Sequence, residues 1–172
     1  AAQQASEIRA ELEEQKSLAS LHTQIDLPDI TRSAFLRMSD AFAPLKSAAR
    51  IWDTVQQRGT DKAAERTSAA RTIVREPVQF QLGSCEVIKT DWLVPHLGNA
   101  NGGDIYLYPG FALYFISDQA FALLELHELE LEFAYSQFIE TEAIPSDAKV
   151  IGKTWAKVNK DGTPDRRFKG NY

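Results

Sequence analysis

The chain has 172 residues, 44% of them apolar and 25% charged, with a formal net charge of −5. These values fit one ordinary globular domain, or a small domain with a helical extension, and exclude wholesale disorder, collagen-like repeats and a disulfide scaffold. No apolar run approaches the ~18 residues of a membrane span, and the net acidity weighs against a dedicated nucleic-acid binder.

The sequence opens Ala1-Ala2-Gln3 rather than on Met. A removed signal peptide, an upstream membrane tether or a cloning choice would each give that start. Residues 2–20 lack Gly and Pro and are rich in Ala, Glu, Gln, Lys and Leu, which predicts a helix about 28 Å long. Ile8, Leu12 and Ala19 lie near one face, ringed by Glu7, Arg9, Glu11, Glu13 and Glu14. A stripe so thin suits a partner helix or short coiled coil, or a solvated lead-in. Residues 1–27 are read as this charged lead-in.

Leu27-Pro28 breaks the segment, with Asp29 or Thr31 available to cap the next helix. Phe35, Met38 and Phe42 follow at helical spacing, and Pro44 interrupts them. Leu45, Ala48, Ala49, Ile51, Trp52 and Val55 predict a further helix ending near Gly59, and Thr60-Asp61 starts a short one through about residue 71. Residues 28–76 are thus expected to be helical, the Phe/Met/Trp stripe forming a helix–helix core.

Near Arg75-Glu76-Pro77 the apolar period changes from 3.6 to 2. Val78, Phe80 and Leu82 predict a half-buried strand, and Cys85 and Val87 a second. The lone Cys85 therefore reads as a buried, inert thiol in a reducing, cytoplasmic setting. Asn99-Ala-Asn-Gly-Gly103 is a flexible turn without calcium-loop spacing. Ile105–Tyr108 and Phe111–Ile116 flank a Pro109-Gly110 turn as a hairpin, and strands are expected at 121–126, 129–138 and 149–158. Asn159-Lys-Asp-Gly162 is a turn. Helices followed by a strand meander make the fold class α+β, with residues 77–172 as an antiparallel β domain.

Three strings carry a family resemblance: Asp104-Ile-Tyr-Leu-Tyr-Pro-Gly-Phe-Ala-Leu-Tyr-Phe115, Phe121-Ala-Leu-Leu-Glu-Leu-His-Glu-Leu129, and Trp155 through Asn171. The first two resemble strands of bacterial pleckstrin-homology-like (PH and GRAM-type) domains, over about residues 78–172. The third is similar to a recurrent string in uncharacterised bacterial proteins. The resemblance implies a PH-like β domain that binds rather than catalyses. Because such a domain closes with a C-terminal helix, it also implies a domain incomplete at its C-terminus, part of a larger bacterial assembly.

Charge is segregated: residues 118–147 hold eight acids and no Lys or Arg, and residues 148–172 hold seven bases against two acids. Such separation creates an oriented field or a self-complementary surface, unless adjacent strands simply pair their charges. Lys160, Arg166, Arg167 and Lys169 flank Phe168 and Tyr172, a composition suited to phosphate contact with stacking or interfacial insertion. These are the candidate ligand- or partner-contact residues. The bland reading is a hairpin whose Arg166 or Arg167 pairs with the acids at 125–142.

Other constellations are weaker. His127-Glu128 lacks a histidine four residues on, so it is no zinc-peptidase motif; His127 reads as a sheet-face residue and His96 as a loop residue. Asp147-Ala-Lys149 with Glu140 or Glu142 fits half of a metal-dependent nuclease or hydrolase site. No phosphate-binding loop, nucleophile elbow or Cys–His signature occurs, and no cofactor is expected. The resulting expectation is a non-catalytic binding or scaffolding module. It would use residues 2–20 for self-association or a protein partner, and its β domain for protein binding. Attachment to an anionic membrane or nucleic acid through residues 157–172 is the alternative, and metal-dependent hydrolysis a further one.

Overall fold

The computed structural model describes residues 2–171, which form an α+β chain. In chain order the main elements are helix α1 (Ala2–Ala19), β1 (Leu21–His22), α2 (Asp29–Phe42), a 3-10 turn (Ala43–Ser47), β2 (Ile51–Gly59), α3 (Lys62–Glu65) and β3 (Arg71–Val78). There follow β4 (Phe80–Leu82), β5 (Ile88–Lys89), β6 (Pro95–Leu97), β7 (Asp104–Tyr108), β8 (Phe111–Ser117) and β9 (Ala120–Glu125). Among the described residues no helix is long and apolar enough to cross a membrane. The chain divides into two compact units, each discontinuous: Ala1–Ser47 with Gln79–Glu130, and Ala48–Val78 with Leu131–Tyr172.

The first unit is built on an antiparallel sheet of order β4-β6-β7-β8-β9. The expected hairpin is present, with Tyr108 opposite Phe111 across Pro109-Gly110. Gly110 adopts φ +102°, a conformation that side chains with a Cβ rarely take, so the turn needs glycine. Cys85, Ile88, Val94, Tyr108 and Leu113 form the buried core. Tyr108 is wholly enclosed; its hydroxyl accepts the Cys85 N–H (2.8 Å) and donates to the Ile88 carbonyl (2.6 Å). Cys85 is buried as expected, and burial pushes its thiol pKa up, but it sits in an irregular stretch before β5 rather than on a strand. β5 pairs in parallel with β1, where Leu21 and Thr23 donate to Val87 and Lys89.

Helix α2 buries Phe35, Ser39 and Phe42. Phe35 meets Trp92 edge-on at 5.3 Å, Ser39 Oγ donates to the Leu93 carbonyl at 2.9 Å, and Phe42 stacks on Phe80 at 5.5 Å. These contacts of the helix are to β4 and to the connection between β5 and β6 rather than to another helix, and Met38 stands partly exposed beside the buried stripe. Neither Asp29 nor Thr31 caps it: Pro28 occupies the cap position without a side-chain bond, and its carbonyl takes the Arg32 N–H.

The second unit corrects the sequence reading most. The helix expected over 45–58 is a 3-10 turn followed by β2, which pairs antiparallel with β3. Ile51, Thr54 and Val55 on β2 and Thr72, Ile73 and Val74 on β3 are β-branched, and cross-strand pairing outweighs the helical spacing of Ala48, Trp52 and Val55. Asp61 does cap α3, accepting from Ala63 and Ala64, but the helix ends at Glu65 because Arg66 turns left-handed (φ 52°). No strand forms over 129–138 or 149–158, where the described residues carry no regular element beyond an isolated bridge at Val158.

Replacing Tyr108 by Phe strands the Cys85 N–H and Ile88 carbonyl in the core. It should lower unfolding free energy by about 1–3 kcal/mol in urea denaturation and speed exchange of the Cys85 amide. Desolvation also raises the Tyr108 pKa to about 12. The folded state thus holds this proton more tightly than the unfolded chain, so stability is intact below pH ~10 and is lost as pH rises toward 12.

Candidate functional site

The basic segment at the end of the second unit folds around its own polar side chains. Asn159 N–H donates to the Thr163 carbonyl and Gly162 N–H to Asn159, closing the expected turn. Asp161 accepts from both the amide and hydroxyl of Thr163, at 3.0 and 2.7 Å. Val158 bridges Pro164, and the buried Asn171 ties the two sides of the bridged turn together, accepting from Lys157 N–H and donating to the carbonyls of Lys157 and Asp165.

At the centre lies Asp165, whose side chain is 2% exposed. Its carboxylate accepts Arg167 N–H and Nε–H at 3.0 Å each, Arg167 Nη2–H at 3.2 Å and Arg66 Nη1–H at 2.9 Å. The Arg167 hydrogen bond is the foremost cause that holds the Asp165 carboxyl below the usual carboxylate range. Arg66 reaches it because its left-handed backbone ends α3 and offers its carbonyl to Val158 N–H. Lys157 Nζ donates to the Glu65 carbonyl, tying the same helix end to this segment.

The candidate residues separate accordingly. Arg167 is bound to Asp165, not to the acids at 125–142. Arg166, Lys160 and Lys169 have no hydrogen bond or ion pair among the described residues. Phe168 lies against Gly170, where an added Cβ would come within 2.8 Å of the ring, and is 39% exposed. Tyr172 and the Ala19 side chain lie outside what the structure describes. Asn159, Thr163, Pro164, Asp165, Arg166 and Arg167 line an open depression of about 480 Å³. Arg66 was invisible to sequence reasoning, because 99 positions separate it from Asp165 and no motif links them.

The carboxylates considered for a metal are engaged elsewhere. Glu140 accepts Arg75 Nη2–H at 2.7 Å, and this bond lowers its pKa; Glu142 accepts Arg50 at 3.2 Å; Asp147 accepts the Ala49 N–H at 2.8 Å. Arg75 also lies over the Trp52 ring at 4.3 Å. Among the described residues, no three His, Cys, Asp or Glu side chains are placed to hold a metal ion. His96 is on β6, not in a loop; it meets Asp104 at 2.7 Å and stacks on Tyr106 at 4.1 Å. His127 sits in a 3-10 turn (Leu126–Glu128) beside Glu125 rather than on a sheet face. The Asn99–Asp104 turn is stitched internally: Asn99 N–H donates to Asp104, its side chain to Gly103, and Gly103 N–H to the Tyr114 hydroxyl.

Two exposed apolar stretches, one in each unit, were only half legible. Among the described residues β9 is an edge strand bordered by β8 alone, with Phe121 and Leu123 exposed. Later in the sequence, in the second unit, Leu131, Phe133 and Tyr135 are 76, 85 and 96% exposed.

No protein-family model, curated protein or solved structure matches the chain.

Because the Asp165 carboxyl is held below its ordinary range, its contribution to loop order is present above pH ~4 and is lost as pH falls through the lowered value. The Arg167 amide resonance should stay fixed from pH 7 to 5 and move only under stronger acid. In Asp165→Asn it should already be displaced at pH 7, with Arg167 and Asn171 amide exchange accelerated.

Proposed function

We propose that the chain is a non-catalytic scaffolding module that joins polypeptides by strand addition. The accepting surface is the open edge of β9, and its occupant is the segment 129–135 of a second copy. The observation that carries this reading is that one chain holds both an uncovered sheet edge and an unpaired segment with strand alternation. On β9, Phe121 lies opposite Phe115 and Leu123 opposite Leu113, so two apolar rows run outward to an edge with no further strand among the described residues. In the segment, Leu129, Leu131, Phe133 and Tyr135 alternate with Glu128, Glu130 and Glu132. Within one copy, the chain leaves β9 through a turn fixed by the Glu125 N–H bond to Glu128, and residues from 131 onward belong to the other unit. Uncovered edges pair readily with extended segments, whose main chain supplies affinity and alternate side chains supply register.

Helix α1 provides a second contact between copies, since Ile8 and Leu12 are exposed one turn apart. The non-catalytic part of the reading is supported by the engagement of Glu140, Glu142 and Asp147 with Arg75, Arg50 and the Ala49 amide. The PH-like resemblance belongs to the same proposal, its first two strings falling on the β7–β8 hairpin and on β9 with the turn that follows.

Light scattering on the eluting 172-residue chain tests this. An oligomer is expected whose dissociation constant rises at least about tenfold in Leu123→Lys, because a charge at the edge blocks pairing without touching the buried core. Ile8→Glu with Leu12→Glu should weaken the helical contact separately. A monomer at every concentration, or an oligomer indifferent to Leu123→Lys, contradicts strand addition.

A further inference from the structure

The depression beside the basic loop is described by contacts independent of strand addition. Asp165 is buried, yet the two arginines it holds are not: the Arg66 and Arg167 side chains are 47% and 72% exposed. Each guanidinium is therefore gripped from behind by a carboxylate while its remaining N–H groups face water. Arg66 offsets the Asp165 charge, so Arg166 and Arg167 give the depression they line an uncompensated positive character. Arg166 has no competing partner among the described residues, and neither do Lys160 and Lys169 of the same loop. Guanidinium forks match phosphate oxygens two at a time, and a fork already oriented loses less freedom on binding than a mobile one.

We propose that this depression binds a phosphate group, with Arg166 and the outward edge of Arg167 as donors and with Asp165 and Arg66 as positioning residues. The ligand chemistry is a compact phosphoryl group, either free or borne on a lipid headgroup. A polynucleotide fits less well. It needs a basic track with rings free to stack, whereas the Phe168 ring lies against Gly170 and the whole chain carries −5.

Titration calorimetry of the full chain with sodium phosphate and with pyrophosphate, at constant ionic strength against sodium chloride, tests the site. Saturable one-to-one binding is expected, weakened at least about tenfold in Arg166→Gln. That variant should melt at an unchanged temperature, because the side chain has no partner to lose. Arg167→Lys should also weaken binding, since it keeps the charge and removes the fork. Vesicles of phosphatidylcholine with and without a phosphorylated phosphoinositide separate the sources. Retention on the former alone, released by pyrophosphate, identifies a headgroup; phosphate binding without retention identifies a free ligand. The proposal is overturned by three results: no saturable heat with either anion, binding indifferent to Arg166→Gln, or binding only to polynucleotide with a steep salt dependence.

Discussion

The first unit depends on one buried phenol. Tyr108 ends a strand in the middle of the five-stranded sheet, and its hydroxyl joins that strand to the irregular stretch around Cys85 and Ile88. An unpaired donor and acceptor in that core would be costly, so one hydroxyl that satisfies both fixes where the non-strand backbone must lie. Phe111 stacks on the same ring at 4.8 Å, and β5, held in place there, offers its edge to β1. Order in the sheet is thereby passed to a segment with little regular structure of its own.

Asp165 performs the matching task in the second unit. One buried carboxylate collects a backbone amide and two guanidiniums, and these bring the end of α3 together with the terminal loop. The same contacts that order the loop also orient the Arg167 guanidinium. Part of the charge separation along the sequence is met without cross-strand pairing. The acids at 140–147 meet Arg75, Arg50 and an amide, and the basic segment holds its arginine with its own aspartate.

Local chemistry was legible in the sequence, and long-range pairing was not. The lead-in helix, the Pro109-Gly110 hairpin, the Asp61 cap and the Asn159–Gly162 turn each rest on a few adjacent residues, and each is found. Trp52 and Val55 were misread because a 3.6-residue spacing arises by chance in a short strand, and only the partner strand 71–78 decides between the periods. The opposite error befell 129–138, where alternation predicts a strand but the described chain has no neighbour to pair with. At the candidate site the basic residues were visible as composition. Which of them is spoken for depends on Asp165 being buried, and burial is a property of the fold.

In the proposed assembly, residues 129–135 become a strand only when a second copy supplies an edge. Hydrogen exchange of residues 120–135, followed across a wide range of protein concentration, tests it most directly. Protection of the 129–135 amides should be absent in dilute solution and grow with concentration, together with protection along β9. Rapid exchange of that segment at every concentration would contradict the account.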